Sequence, residues 1–335
     1  MKILFDHGSP FLLAHGGLQI QIEQTKSALE AINVQVDYLR WWDDSQPGDI
    51  IHYFGRPMAG YVGLVRRKGI KLVLAPLLTG MGSRPKSALF CQRMFISGCR
   101  KVLPSMLTAP FGWESHRLAD ACVALTSWEA HLMSYMFGAA PENVHVVPNG
   151  VEQVFLTSAR QERGHWLVCT ATITERKRVL ELARAAVQAQ TPLWIMGKPY
   201  SETEPYAKSF FALQARHPQI LRYEGPVSDR SKLAQIYRQA RGFVLLSAME
   251  SLSLSALEAA ACECPLLLSD LPWARTVFQE NAAYCPIASP HRTAEALRKF
   301  YAAAPGLKPP PTPLSWIQAA EQLKKIYAGL LSASR

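Results

Sequence analysis

The sequence predicts an α/β protein made of two doubly wound parallel sheets with helices on both faces. Short apolar runs alternate with helical patterns along the chain, and this alternation is typical of parallel strands joined by crossover helices. Because the runs lack the polar–apolar alternation of a half-exposed strand, we expect strands that are buried on both faces. A chain of 335 residues also exceeds one typical hydrophobic core, so two domains are expected.

The predicted strands form two groups, one in each half of the chain. The first group comprises residues 2–5, 34–39, 50–53, 71–75, 121–125 and 144–147. The second group comprises residues 166–170, 193–196, 220–223, 243–246 and 265–268. The helical patterns between them include residues 18–32, 178–188, 231–239, 255–261 and 293–301. Each half therefore contains enough alternating elements for its own sheet.

Turn chemistry at Pro148-Asn149-Gly150 separates the two groups of strands. It predicts an N-terminal Rossmann-like domain over residues 1–150 and a C-terminal one over residues 151–312. A proline-rich, semi-rigid linker at 305–313 leads to a last amphipathic helix at 314–330. The segment 313–335 is therefore treated as a separate C-terminal helix.

Composition narrows the class of protein. A hydrophobic content of 49% and a charged content of 19% indicate a globular chain. No apolar run reaches the ~18 residues of a membrane span, and the first residues predict a strand, not a signal peptide. The seven cysteines include no CxxC pair, which predicts reduced thiols in a cytoplasmic protein and no metal site.

Positive charge is concentrated in one stretch of the first half. Residues 50–113 contain no acidic side chain, whereas ten lysines and arginines lie within residues 56–101. Such a field attracts an anionic membrane surface, a phosphate-bearing acceptor or nucleic acid. Nucleic acid is the least favoured, because no recognition motif accompanies the cations. Residues 86–102 predict an amphipathic helix, lying either on an anionic membrane or on the first sheet with a basic outer face.

Two glutamates eight positions apart, Glu250 and Glu258, are the most informative pair in the chain. Glu250 follows the predicted strand at 243–246, and Glu258 lies in the Ala-rich helix that comes next. Ligands of open α/β sheets bind beyond the carboxyl ends of the strands, and a helix N-terminus attracts phosphate. Two carboxylates there could hold sugar and ribose hydroxyls around a diphosphate, although a helix-cap carboxylate and a surface glutamate would leave the same pattern.

Two further segments lie at strand-to-helix turns. Gly16-Gly17 opens the first predicted helix and allows the backbone to approach a ligand closely. Residues 174–178, TERKR, follow the first strand of the second half. Their cations could neutralise a diphosphate leaving group, although a solvated helix start is the alternative.

These motifs together resemble glycosyltransferase family 4, whose members have the two-domain GT-B fold. The resemblance covers essentially the whole chain. It rests on Gly16-Gly17, on VVPNGVE at 146–152, on the lysine of ERKR, on residues 224–251 and, most specifically, on the Glu-x7-Glu segment. It implies two Rossmann-like domains that face each other across a cleft, with the C-terminal helix crossing back to the first domain.

The resemblance also implies an activity: retaining, metal-independent transfer of a sugar from a UDP-, GDP- or ADP-linked donor, with no cofactor. The acceptor would be a glycan or a lipid-linked molecule in cell-surface polysaccharide or glycoconjugate synthesis. The enzyme would be cytoplasmic, with a peripheral position on the inner face of the membrane left open. Nucleic acid is not an expected partner.

The resemblance implies a role for each matching residue. Glu250 would contact the transferred sugar, Lys177 the diphosphate, and Glu258 the ribose hydroxyls. The other implied donor contacts are positions where the main chain or a short side chain meets the ligand: Gly16, Gly17, Val227, Leu252, Ser253 and Leu254.

The charge near the lysine departs from the family pattern. The arginine usually found five positions earlier is Thr172 here, within the predicted donor site. Arg176 or Arg178 could supply the missing charge. The histidine that many members carry after the strand at 71–75 is also missing. His52 is the nearest candidate for a catalytic histidine, with His7 an alternative and a structural role open for both.

The turn after the first glutamate departs as well. The family's Glu-Gly-Phe-Gly-Leu reads Glu250-Ser251-Leu252-Ser253-Leu254 here. A serine forced to positive φ would cost on the order of 1 kcal/mol. Alternatively, Ser253 caps the helix.

Other functions remain open from the sequence. A catalytically weak or inactive nucleotide-sugar-binding subunit on the same fold is the main alternative, because of these departures. An epimerase on this fold would share the same motifs, since fold alone does not determine reaction type.

Overall fold

The chain folds into two compact units, each built on one six-stranded sheet. The structure is a computed structural model that describes residues 1–8, 11, 16–157, 161–286 and 289–332. One unit comprises Met1–Gly150 with Trp316–Arg335, and the other comprises Val151–Ser315. All strand pairings within the sheets are parallel. The predicted α/β class, with two Rossmann-like sheets, is confirmed.

The sheet of unit 1 has the order β2-β1-β3-β4-β5-β6. Its strands are β1 Lys2–His7, β2 Gln35–Tyr38, β3 Ile50–Phe54, β4 Lys71–Ala75, β5 Ala121–Ala124 and β6 Val144–Val146. Every residue of β3 is buried, as the continuous apolar run predicted. The connection that leaves β1 leads to β2 at one edge of the sheet, and the connection that leaves β3 leads to β4, towards the other edge. In open α/β sheets, a ligand crevice lies beyond the carboxyl ends of two such neighbouring strands.

Seven α-helices accompany this sheet among the described residues of the first part of the chain. They are α1 Gly17–Ala31, α2 Ala59–Arg67, α3 Thr79–Gly82, α4 Lys86–Val102, α5 Ser105–Thr108, α6 Ser115–Leu118 and α7 Ser127–Phe137. Gly16 precedes α1 with φ +148°, a conformation that favours glycine. One core cluster joins β1, β3, β4 and β5 to α2, α4 and α7, and each of its buried Leu, Ile or Phe side chains contributes roughly 1.5–3 kcal/mol.

The sheet of unit 2 has the order β12-β11-β10-β7-β8-β9. Its strands are β7 Leu167–Thr170, β8 Leu193–Met196, β9 Leu221–Tyr223, β10 Gly242–Leu245, β11 Leu266–Ser269 and β12 Ala283–Cys285. The five predicted strands are present within one or two residues at each end. The edge strand β12 was not predicted, because three residues form no distinct apolar run.

The helices of unit 2 cover its sheet, and one later helix belongs to unit 1. The former are α8 Gln153–Leu156, α9 Val179–Ala189, α10 Pro205–Arg216, α11 Arg230–Gln239, α12 Leu254–Ala261, α13 Pro272–Phe278 and α14 Pro290–Ala303. The last helix, α15 Trp316–Ser332, packs on α1. Lys324 Nζ donates to the carbonyl oxygen of Ile32 at 2.8 Å and fastens the two helices at one end.

Candidate functional site

The strands β7 and β10 define the switch point of the unit 2 sheet. They lie side by side in the sheet. The connection that leaves β7 leads to β8, towards one edge of the sheet, and the connection that leaves β10 leads to β11, towards the other edge. In open α/β sheets a crevice opens beyond the carboxyl ends of such strands. The segments after these two ends are residues 171–178 and 246–254, which contain most of the predicted donor-binding residues.

Lys177 reaches Glu250 across this switch point. Thr174 caps a 3₁₀ turn at Glu175–Lys177, its hydroxyl accepting from the Lys177 backbone N–H at 3.4 Å. The turn directs Lys177 Nζ onto the Glu250 carboxylate, with which it forms a hydrogen-bonded ion pair. Both side chains are largely buried, at 14% and 8% exposure. The pair therefore holds two opposite charges at the place where a diphosphate sugar would bind.

Arg176 lies beside the same carboxylate. Its Nη1 is 3.5 Å from Glu250 Oε1 and donates to the Met249 carbonyl oxygen at 3.2 Å. The Ala248 N–H donates to the Arg176 carbonyl oxygen at 2.8 Å, which ties the two segments together. Thr172 is half-buried just beyond β7. Arg176 therefore places a second cation near Glu250, although it lies four positions after Thr172, where the family has its arginine.

The serines after Glu250 lie in ordinary backbone conformations. Ser253 has φ −78°, and Ser251 is not among the residues with positive φ. The Ser253 hydroxyl accepts from the Ala256 N–H at 3.3 Å, as a helix cap. The predicted cap is confirmed, and the strain considered from the sequence does not arise. Leu252 and Leu254 flank this cap, so their amides stand at the positive end of α12.

Glu258 is held by a cation that the sequence reasoning missed. It lies on the first turns of α12, 7% exposed, and its carboxylate forms an ion pair with Arg230. Arg230 Nε also donates to Glu152 Oε1 at 2.8 Å, and the guanidinium lies 4.8 Å from the centre of the Phe155 ring. Burial raises the pKa of the Glu258 carboxyl above its usual 4.5, although Arg230 opposes this.

A signal for Arg230 was present in the sequence. It occupies the first position of α11, where the helix dipole disfavours a cation, and Asp229 caps that helix by accepting from the Ser231 and Lys232 N–H groups. A cation at such a position indicates a nearby anionic partner. Val227, the predicted neighbour of the base, lies half-buried in the loop between β9 and α11.

The predicted glycines and histidine lie in unit 1. Gly16 and Gly17 stand at the N-terminus of α1, and a side chain at Gly16 would meet nothing within 4 Å. His52 is 1% exposed within β3, its ring stacked on Phe54 at 4.4 Å and its Nδ1 2.6 Å from the Tyr327 hydroxyl. Burial lowers the pKa of His52 to about 3. The neutral, enclosed ring fits a packing role, so its predicted catalytic role gains no support.

Unit 1 also contains an aromatic cleft at the carboxyl end of β1 and β2. It encloses about 510 Å³ and is lined by Asp6, Phe11, Tyr38 and Trp41 among others. Asp6, itself 3% exposed, accepts from the Tyr61 hydroxyl at 2.6 Å and from Trp41 Nε1 at 3.3 Å. Flat rings beside a fixed carboxylate suit a hydroxylated ring such as a sugar.

Two negative findings apply to the described residues. Residues 1–8, 11, 16–157, 161–286 and 289–332 contain no group of three or more His, Cys, Asp or Glu side chains that could hold a metal ion. Over the same ranges, no helix has both the length and the apolar composition needed to cross a bilayer.

Comparison with known proteins places unit 2 in a family. Residues 164–303 match "Glycosyl transferases group 1". The chain is similar to the D-inositol 3-phosphate glycosyltransferase of Jonesia denitrificans, with 32% identity over 177 residues, and to that of Catenulispora acidiphila, with 25% identity over 247 residues. These alignments span 45% and 65% of this chain and 41% and 59% of the relatives.

Solved structures share the fold. Anabaena HepE in complex with UDP has a TM-score of 0.66 at 14% identity, over 98% of this chain and 100% of that one. Sucrose-phosphate synthase of Thermosynechococcus elongatus also has a TM-score of 0.66, at 17% identity and over 99% of both chains. These two structures support the predicted two-domain fold, and the family match over residues 164–303 confirms the predicted resemblance to glycosyltransferases.

Proposed function

We propose that this chain, whose unit 2 matches "Glycosyl transferases group 1", transfers a sugar from a nucleotide diphosphate sugar to a glycan or lipid-linked acceptor with retention of configuration. The observation that carries this proposal is the Lys177–Glu250 pair at the switch point of unit 2. Burying charged groups costs desolvation free energy, and ionisable side chains buried in a cleft are therefore candidates for a functional site.

The pair would separate when the donor binds. The diphosphate would replace Glu250 as the partner of Lys177, with Arg176 and the amides at the start of α12 completing its charge neutralisation. Glu250, released from the ammonium group, would accept hydrogen bonds from the hydroxyls of the transferred sugar. Because these groups belong to the protein, the proposal requires no metal ion.

Glu258 would take the ribose hydroxyls of the donor. Its carboxylate is fixed by Arg230, which keeps a second partner in Glu152. The guanidinium could therefore stay in place while the carboxylate of Glu258 accepts from the ribose. The loop containing Val227 would border the base. The connected ion pairs of Glu152, Arg230 and Glu258 would thereby form a polar surface for the nucleoside that exists before the donor binds.

The chemistry would exchange one bond to the anomeric carbon for another. The bond between that carbon and the diphosphate oxygen breaks, and a bond to the acceptor oxygen forms on the same face of the sugar. The acceptor hydroxyl gives its proton to the departing phosphate oxygen. Lys177 and Arg176 would stabilise the charge that develops on the diphosphate, while Glu250 orients the sugar.

The acceptor would bind on unit 1. The aromatic cleft offers ring faces from Phe11, Tyr38 and Trp41 and a fixed carboxylate in Asp6. Such a surface matches a glycan residue, whose apolar ring face stacks and whose hydroxyls donate. A role in cell-surface polysaccharide or glycoconjugate synthesis belongs to the same proposal.

The test is a transfer assay on the full chain with UDP-, GDP- and ADP-sugars and pools of glycan and lipid-linked acceptors. We expect transfer by the wild type and its loss in Glu250→Ala, with the fold intact by circular dichroism. Glu202→Ala, an exposed glutamate of the same unit, serves as the matched control and should retain full activity.

Two outcomes would overturn the enzyme proposal. Full transfer by Glu250→Ala would remove the site from the reaction. Donor binding without transfer or hydrolysis in any pool would favour the alternative, a catalytically weak nucleotide-sugar-binding subunit on the same fold.

A further inference from the structure

The helix α4 in unit 1 exposes an apolar side to solvent. Leu89 and Ile96, seven positions apart, are buried against the core, as expected for one face of a helix. The opposite side carries Phe90, Met94 and Phe95, at 55%, 58% and 65% exposure. The prediction of a helix is confirmed, and its outward positions carry apolar side chains together with the cations Lys86, Arg93 and Lys101.

The apolar surface continues beyond α4. The helix contacts α5, and α5 contacts the 3₁₀ turn Ala109–Phe111. We define the outer apolar face as the exposed apolar side chains of this stretch: Phe90, Met94, Phe95, Val102, Leu103, Met106, Leu107 and Phe111. Val102 and Met106 are 80% and 83% exposed. Single exposed apolar residues are ordinary, but a series along one connected surface marks an interaction site.

Cations border this face, and the stretch of chain that forms it contains no carboxylate side chain. Lys86, Arg93 and Lys101 lie on α4 itself, and Lys101 falls on the outward side, seven positions after Met94. The chain has no acidic residue between positions 50 and 113. The next one, Glu114, is neutralised by Arg100 and Arg117. Apolar side chains with a cationic border are complementary to a bilayer that carries anionic headgroups.

We propose that the outer apolar face docks unit 1 on an anionic lipid bilayer, with its apolar side chains among the acyl chains and its cations at the headgroup phosphates. A second copy of the chain fits this face less well, because two acid-free surfaces of a protein with net charge +10 would repel each other. Membrane docking itself does not depend on the proposed function. Only its consequence for the acceptor rests on that function: docking favours a lipid-linked acceptor over a soluble one.

The test is sedimentation of the full chain with vesicles, without donor or acceptor. Vesicles of equal parts phosphatidylglycerol and phosphatidylcholine should bind the wild type, and pure phosphatidylcholine vesicles should bind it at least tenfold more weakly. Binding should also fall as salt rises above about 0.15 M. Because no sugar transfer is measured, this result is independent of the proposed reaction.

Variants separate the apolar from the charged contribution. Phe90→Ser with Phe95→Ser should weaken vesicle binding at least tenfold, whereas Ile20→Ser with Ile317→Ser, exposed apolar residues elsewhere in unit 1, should stay within twofold of the wild type. Lys86→Glu with Lys101→Glu should weaken vesicle binding at least twentyfold, because each cation near an anionic surface contributes about fivefold to the affinity. Lys208→Glu with Lys325→Glu changes the net charge equally and should have a much smaller effect.

An environment-sensitive dye on Cys91, the exposed cysteine of α4, should shift to the blue on anionic vesicles if the face inserts. Equal binding to both vesicle types, or unchanged binding in the Phe90/Phe95 variant, would overturn the proposal. So would wild-type self-association in the absence of lipid that this variant abolishes, because the face would then be an interface between copies.

Discussion

The carboxyl edges of the two sheets fix their buried carboxylates in different ways. In unit 1, Glu129 is 4% exposed and accepts from the backbone N–H groups of Leu78 at 2.5 Å and Leu125 at 2.8 Å. In unit 2, Glu250 and Glu258 are equally buried, but the side chains of Lys177 and Arg230 hold them. Backbone amides cannot turn away from a carboxylate without unfolding, whereas a lysine or arginine side chain can rotate.

This difference separates a structural carboxylate from one that can be offered to a ligand. Glu129 links the ends of β4 and β5 to the first turn of α7, so its loss would disturb the fold of unit 1. Glu250 and Glu258 each pair with a cationic side chain, so we expect their loss to affect ligand binding more than folding. Burial alone does not distinguish the structural carboxylate from the other two, because all three side chains are 7% exposed or less.

The largest effect should come from Lys177→Ala, which tests the exchangeable pair. Under the proposed function, the variant removes the cation that neutralises the departing diphosphate, and we expect kcat for transfer or donor hydrolysis to fall by roughly 10²–10³-fold. Steady-state assays of released nucleotide measure this. Lys208→Ala, an exposed lysine on α10, is the control, and an equal loss there would contradict the assignment.

Glu129→Ala should reveal the fixed carboxylate. The variant leaves two buried backbone N–H groups without an acceptor, and each costs about 1–3 kcal/mol of unfolding free energy. Urea unfolding should therefore show a loss of roughly 2–6 kcal/mol, with donor affinity unchanged in the folded fraction. Glu250→Ala should be less destabilising than Glu129→Ala. The reverse order would mean that the two edges do not differ as described.

The smallest effect concerns pH. Burial raises the pKa of Glu258 above 4.5, so the folded protein binds this proton more tightly than the unfolded chain does. The contribution of Glu258 therefore favours folding at low pH and is lost as the pH rises through the folded-state pKa. The unfolding free energy of the wild type minus that of Glu258→Gln should increase from pH 7 towards pH 5. A decrease would show that Arg230 outweighs burial.

The sequence predicted most of the fold because apolar runs and helical spacing report burial directly. All of the predicted strands are present, and β4, Lys71–Ala75, has the predicted bounds. The strand β12 escaped prediction because an edge strand of three residues has little apolar surface to bury. The helix at 86–102 was predicted correctly, but the sequence left open what its outer side faces, since spacing gives a helix two faces without saying which one meets the core.

The candidate site was predicted in part. The sequence placed Glu250 after one predicted strand and Lys177 after another, and the structure adds that these strands, β10 and β7, are neighbours that end at the same edge. The Arg230–Glu258 contact could not be predicted in this way, since 28 positions separate the two residues and no strand end aligns them. His52 shows the opposite case. The sequence suggested a catalytic role from the residue type, but the side chain is buried in the core of unit 1.

The most direct measurement of the central claim is calorimetric titration of nucleotide sugars into the wild type, Glu258→Ala and Glu202→Ala. We expect one of the UDP-, GDP- or ADP-linked donors to bind the wild type and the Glu202→Ala control equally. Glu258→Ala should bind it at least tenfold more weakly, since a hydrogen bond to a charged group contributes about 1.5–3 kcal/mol. Equal affinity in all three proteins, or binding of no nucleotide sugar to the wild type, would contradict the claim that unit 2 holds the donor.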